Sequence, residues 1–144
     1  MKKLPDALVA ETITVSVPFY DTDPMGVTWH GNYLKYFELA RCALLDKIDF
    51  GYRRMTEYGY AWPIVDIRVK YVKSSLFEQA LSVWAGIVEY ENRLKIEYRI
   101  YDQDTGEIVT TGFTIQIAID LRTKDMCFES PDALKQRIEL VKSQ

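Results

Sequence analysis

Polar and apolar residues alternate from Glu11 to Tyr20. Ile13, Val15, Val17 and Phe19 fall on one side, and Thr12, Thr14 and Ser16 on the other. A period of two predicts a half-buried strand. Turn formers in Asp21-Thr-Asp-Pro-Met-Gly26 break the alternation. From Asn32 to Ile48 the period is helical, with Tyr33, Tyr36, Phe37, Ala40, Leu44 and Ile48 at i, i+3, i+4 spacing. Leu34, Leu39 and Leu45 widen the apolar face, so this central helix is expected to be covered on most sides. Asn32 is its expected N-cap, and Gly51 follows its end. After a short helix or loop over residues 52–60, alternation returns. It marks strands over Ile64–Val72, Leu81–Ile87, Leu94–Ile100 and Thr111–Ile119, with a turn at Asp102–Gly106. In the last strand Thr111, Phe113, Ile115, Ile117 and Ile119 form the apolar set, and Pro131–Val141 is a candidate closing helix. Short turns between strands predict antiparallel pairing. One long helix against one antiparallel sheet is an α+β layer, and its free edges offer a route to self-association.

Composition narrows the function. The chain has 144 residues, so residues 1–144 are expected to form a single domain. Its net charge of −3 gives no basis for a nucleic-acid partner. The lysines at positions 2 and 3 are followed by an apolar run broken by Pro5 and Asp6 and ended by Glu11, too short for a signal peptide. No run approaches the ~18 apolar residues of a membrane span. Cys42 and Cys127 form no C-x-x-C pair, which fits reduced thiols. These features together predict a cytoplasmic protein. The lone histidine, His30, excludes metal sites and triads that need two. Nucleophile-elbow, phosphate-loop, dinucleotide and zincin motifs are absent. Asp21-x-Asp23 begins like a calcium loop, but Met25 and Asn32 occupy positions that need oxygen ligands and a closing Glu, so no metal is expected there.

Chemistry concentrates between Tyr20 and Arg41. Carboxylates stand at a strand end and a histidine at the mouth of a helix. A helix N-terminus presents unpaired N–H groups and a positive dipole end, which can polarise a carbonyl. An aspartate beside it can attack or activate water. The same residues also suit a plain structural role, with Asp21 and Asp23 capping turns and His30 entering the helix. The residues alone leave both readings open. Glu38 and Arg41, three apart, suit a structural ion pair, and Cys42 a core position. Trp29, Tyr33, Tyr36 and Trp62 are candidates for an aromatic-lined pocket or for core. Arg68, Lys70, Lys73, Arg93, Lys95, Arg122 and Lys124 are candidate phosphate ligands or solvated strand faces.

The run D-x-D-x-x-G-V-x-x-H-x-x-Y-x-x-x-F-E-x-A-R, from Asp21 through Asp23, Gly26, Val27, His30, Tyr33, Phe37, Glu38 and Ala40 to Arg41, resembles the signature of hot-dog-fold acyl-CoA thioesterases. That family includes the 4-hydroxybenzoyl-CoA thioesterase group and the bacterial short-chain acyl-CoA thioesterases. The resemblance is strong in the N-terminal third and weaker after it. It implies a hot-dog fold, an antiparallel sheet wrapped around one long central helix. It also implies hydrolysis of a small or medium acyl thioester, with CoA or acyl-carrier-protein esters as substrates and no metal or redox cofactor. Asp23 is then nucleophile or general base, and the His30 backbone N–H polarises the carbonyl. Gly26 lets the loop approach the substrate, Tyr33 lines the acyl pocket, and the acyl group lies between subunits of a dimer or tetramer. Two positions depart from the family pattern. Met25 replaces a small residue, and Ser74 and Glu78-Gln79 stand where Pro and an acidic pair are usual, a change expected to concern the sheet edge. Two other readings remain: a hot-dog hydratase or dehydratase using His30 and Asp23, and a non-catalytic acyl-binding module.

Overall fold

The computed structural model describes residues 4–142, so the paired lysines at the N-terminus lie outside the described residues. The strands are β1 (Val9–Ser16), β2 (Tyr60–Ala61), β3 (Ile64–Tyr71), β4 (Ala80–Glu89), β5 (Leu94–Asp102), β6 (Ile108–Gln116) and β7 (Ile119–Asp120). The helices are α1 (Asn32–Lys47), α2 (Tyr52–Glu57) and α3 (Asp132–Lys142). Five strands form one antiparallel sheet in the order β1-β4-β5-β6-β3, while β2 and β7 pair separately. Only β4-β5 and β5-β6 are sequential hairpins. Strand β3 lies at the far edge, and the 72–79 segment carries the chain from there back to β4.

Helix α1 lies over β1 and β4. Tyr33, Tyr36, Phe37, Ala40, Leu44 and Leu45 are buried against the sheet, whose inner face supplies Leu81, Val83, Ala85, Ile87, Leu94, Ile96, Tyr98 and Ile100. The helical and strand periods read from sequence produce this contact.

Several expectations are corrected. Strand β1 stops at Ser16, because Pro18 cannot continue the ladder. Phe19 instead begins a 3-10 turn (Phe19–Asp21) and is 73% exposed. Gly31, not Asn32, is the N-cap of α1. Asn32 is the first helical residue, and its Nδ2 donates to the Asp21 carbonyl at 2.9 Å. The helix is not covered all round, since Leu34 and Leu39 are exposed. The last long strand ends at Gln116, and Ile119 belongs to the small β2-β7 pair.

The faces of β6 also invert. Thr110, Gly112, Thr114 and Gln116 point inward, and Phe113 and Ile115 outward. A Cβ on Gly112 would stand 2.3 Å from the Arg68 carbonyl oxygen and 2.8 Å from the Phe37 ring. The inner face therefore has no room for a side chain there. Thr114 satisfies its hydroxyl on Tyr98 at 2.7 Å, and Gln116 Nε2 donates to the Trp62 carbonyl at 2.7 Å.

Helix α1 stops short of β3. On the helix side of that strand Ile64, Ile67 and Tyr71 are exposed, and the outer edge of β3 is unpaired. This uncovered overhang adjoins the N-terminus of α1.

Candidate active site

The turn after β1 places Asp23. Its backbone N–H donates to the Val27 carbonyl at 2.8 Å, and its carbonyl accepts from Gly26 N–H at 2.9 Å. Its Oδ1 accepts from Met25 N–H at 2.9 Å and lies 3.4 Å from Val27 N. This is the local side-chain-to-backbone turn that aspartate favours. It holds one carboxylate oxygen, and Oδ2 has no hydrogen-bond partner among the described residues. Gly26 has φ +82°, a left-handed conformation that closes this turn and that other residues rarely adopt.

A cavity of about 290 Å³ opens beside the turn. Its walls are Asp23, Val27, Thr28, His30, Tyr33, Tyr71, Val72, Lys73 and Ser74. Three of the four residues singled out from sequence, Asp23, His30 and Tyr33, therefore meet in one space. Gly26 is not in the wall, and shapes the turn behind it.

His30 stands two residues before α1. Its backbone N–H has no acceptor among the described residues, whereas its carbonyl accepts from Tyr71 Oη at 3.2 Å. The imidazole lies between Trp29 and Tyr71, with ring centroids at 5.1 and 5.8 Å. Tyr33 is buried, and its hydroxyl joins Ser75 Oγ at 2.8 Å, which in turn joins Thr28 Oγ1 at 2.6 Å. These three hydroxyls tie α1 to the segments on both sides of the cavity.

Asp21 takes another path. It is 2% exposed and accepts from Lys35 Nζ at 2.6 Å and from Tyr36 Oη at 2.7 Å. Burial, and then the hydrogen bond to Asp21, push the Tyr36 phenol well above its ordinary pKa, so it stays neutral and donates. The two aspartates are thus separated: one is packed under α1, the other faces the cavity.

The remaining candidates divide similarly. Trp62 and Tyr36 are core, and Trp29 flanks His30 without lining the cavity. Lys73 lines the cavity but pairs with Glu107, and Arg93 pairs with Glu89 at 3.1 Å. Arg41 is buried, donating to Tyr52 Oη at 2.8 Å, with Glu38 3.8 Å away. Ser74, expected to concern the sheet edge more than the chemistry, stands in the cavity wall as well as past the end of β3. Sequence reading missed Tyr71, Thr28 and Ser75, since each looks like an ordinary strand or loop residue until the fold brings it to α1. Among the described residues no group of three or more His, Cys, Asp or Glu could hold a metal ion.

An antiparallel sheet packed on one long helix is the architecture of the α+β hot-dog fold, here with a carboxylate loop at the helix entrance. The comparisons agree. The model of the Thioesterase-like superfamily matches residues 17–138, and the chain belongs to that family. YneP of Bacillus subtilis (strain 168), a protein provisionally named an acyl-CoA thioesterase, is 31% identical over 107 residues, covering 74% of this chain and 77% of YneP. The DHNA-CoA thioesterase structure from Staphylococcus aureus is 28% identical, with a TM-score of 0.79 over 93% of this chain and 91% of that one. A variant of 4-hydroxybenzoyl-CoA thioesterase, complexed with 4-hydroxybenzoyl-CoA, shares the fold at 20% identity. Its TM-score is 0.77 over 91% of this chain and 97% of that one. At the level of the family, the chain is a thioester hydrolase.

Proposed function

We propose that this chain is a cytoplasmic acyl-CoA thioesterase, one hot-dog domain of residues 1–144 that works as a homo-oligomer. The observation that carries the reading is the shared cavity. Asp23, with one carboxylate oxygen fixed and the other unpartnered among the described residues, and His30, whose helix-entrance N–H has no acceptor among them, line the same space.

The thioester carbonyl oxygen takes the His30 N–H, where the helix dipole adds positive potential. In the general-base route, Asp23 Oδ2 removes a proton from water while the water oxygen bonds to the carbonyl carbon. The tetrahedral oxyanion then collapses, the C–S bond breaks, and the CoA thiolate leaves with the acid as co-product. In the nucleophilic route, Oδ2 itself bonds to the carbonyl carbon and expels the thiolate. Water then hydrolyses the resulting anhydride and restores Asp23. A single turnover in ¹⁸O-water tests the nucleophilic route, because anhydride hydrolysis at the Asp23 carbonyl leaves label in Asp23, which the general-base route never does.

A second copy completes the site in this reading. Tyr71, at the end of β3, lines the cavity while the outer edge of that strand is unpaired. A partner strand there would close the open side, so the acyl group lies between subunits.

The test measures free thiol release from acyl-CoA and acyl-carrier-protein thioesters. Asp23→Asn should lower kcat by about 10²–10⁴-fold. Full activity in Asp23→Asn sinks the mechanism. Release from carrier-protein esters alone reassigns the substrate. No release from any thioester favours a hydratase or an acyl-binding module.

A further inference from the structure

We propose that Tyr71 is the positioning residue that aims the His30 N–H at the reacting carbonyl, an inference that rests on the site reading above. The His30 carbonyl accepts from the Tyr33 N–H at 3.4 Å, long for an N–H···O bond. The His30 N–H belongs to the Trp29–His30 peptide, whose carbonyl accepts from Asn32 N–H at 2.9 Å, whereas the backbone holds the peptide on the other side of residue 30 by the long bond alone. Tyr71 Oη supplies the second hold on the His30 carbonyl oxygen, at 3.2 Å. The Tyr71 ring also meets the imidazole edge-on at 5.8 Å, while Trp29 flanks it at 5.1 Å. Residue 30 is therefore fixed at its carbonyl and at its ring, and its N–H has no acceptor among the described residues.

Residues 29–31 belong to no helix or strand. Their backbone anchors the Trp29 side of residue 30 through Asn32 N–H at 2.9 Å and the Gly31 side only through the long Tyr33 bond, so the second side needs a position set from outside. Strand β3 can set it, because it is hydrogen-bonded along its length to β6 in the five-stranded sheet. Tyr71 is its last residue and reaches a carbonyl 41 positions earlier in the chain. One side chain thus ties the sheet to the oxyanion donor. An oriented donor matters more in the transition state than in the ground state, so the hydroxyl acts on turnover rather than on substrate affinity.

Tyr71→Phe isolates the effect, since it keeps the ring contacts and removes only the donor. Substrates are acetyl-, butanoyl- and benzoyl-CoA, taking whichever the wild type hydrolyses fastest. Expected are a kcat lower by about 3–10-fold, an unchanged KM and an unchanged melting temperature. Affinity for trifluoroacetonyl-CoA, whose hydrate carries hydroxyl oxygens on a tetrahedral carbon, should fall by the same factor. Affinity for S-propyl-CoA, which has no carbonyl, should not change. Tyr71→Leu, which also removes the ring contacts, should cost more than Tyr71→Phe.

A wild-type kcat in Tyr71→Phe overturns the proposal. So does a raised KM at constant kcat, which would make the hydroxyl a substrate contact. Failure of the site reading looks different. There, the wild type releases no thiol, or Asp23→Asn stays fully active. If the wild type is active, Asp23→Asn is inactive and Tyr71→Phe is normal, only the role of Tyr71 falls.

Discussion

Asp21 and Asp23 stand two residues apart and serve opposite ends. Asp21 is enclosed by Lys35, Tyr36 and the helix, so its carboxylate is a structural acceptor. Asp21→Asn should destabilise the fold by about 1–3 kcal/mol in urea titrations, because a buried charge-assisted pair is broken while Lys35 stays half in water. Asp23→Asn should leave the urea midpoint nearly unmoved and remove activity. Equal stability losses in the two variants would refute this division. His30→Ala keeps the backbone N–H and loses only the ring, so its kcat should fall far less than that of Asp23→Asn. An equal fall would move the chemistry to the imidazole. Spacing placed both aspartates in one turn without separating them, and only the family resemblance singled out Asp23. Their difference depends on which way each side chain leaves the turn, and only packing against Tyr36 decides that. Tyr71 was hidden for a similar reason. It reads as one more alternating strand residue until the order of the strands brings β3 beside the helix entrance.

At the scale of elements, periodicity located α1 and the main strands to within a few residues. It failed where the period matched but the face did not. Strand β6 alternates cleanly, yet Thr110, Thr114 and Gln116 point inward and Phe113 points outward. Burial of β6 is decided by Phe37 lying on Gly112, a close approach that alternation does not encode. Gly112→Ala should therefore cost about 1–3 kcal/mol by overpacking, seen as a lower urea midpoint. A neutral substitution would mean that Phe37 can move aside. The β5-β6 turn has its own signature. The Asp102 carboxylate lies below its ordinary pKa, chiefly through the Thr105 N–H, with the Gln79 amide and the Asp104 N–H adding to it. A carboxylate whose pKa is lowered by folding adds stability above its unfolded pKa and loses it as pH falls through the folded value. Asp102→Ala should thus lower the melting temperature at pH 7, and the gap should shrink as pH falls below the ordinary carboxylate pKa of about 3.9 and close once it passes the lowered folded value. A gap independent of pH would assign the loss to turn geometry instead of charge.

At the scale of the whole molecule, a single copy leaves α1 short of β3, with Ile64, Ile67 and Tyr71 bare on the helix side and Leu34 bare on α1. The sequence suggested a helix covered on most sides, and that expectation asks for a covering which one chain does not supply. In the homo-oligomer proposed above, a second copy pairing along β3 would supply it by extending the sheet and bringing its own apolar overhang against this one. Such symmetric pairing is the closed solution for a bare edge. Ile67 lies near the middle of β3, so a twofold axis there brings both copies of the residue into the interface. In the lone chain it is already 42% exposed, so Ile67→Glu should be tolerated by the monomer fold. In the dimer it replaces two apolar contacts by two facing charges. Each lost side chain is worth about 1.5–3 kcal/mol, so the dimer Kd should rise by roughly two to four orders of magnitude. Analytical ultracentrifugation should show a monomer with an unchanged circular dichroism spectrum, and thiol release should fall with the dimer fraction. A monomeric Ile67→Glu protein with full activity would place the whole acyl site within one chain. An Ile67→Glu protein that stays dimeric would move the interface away from β3.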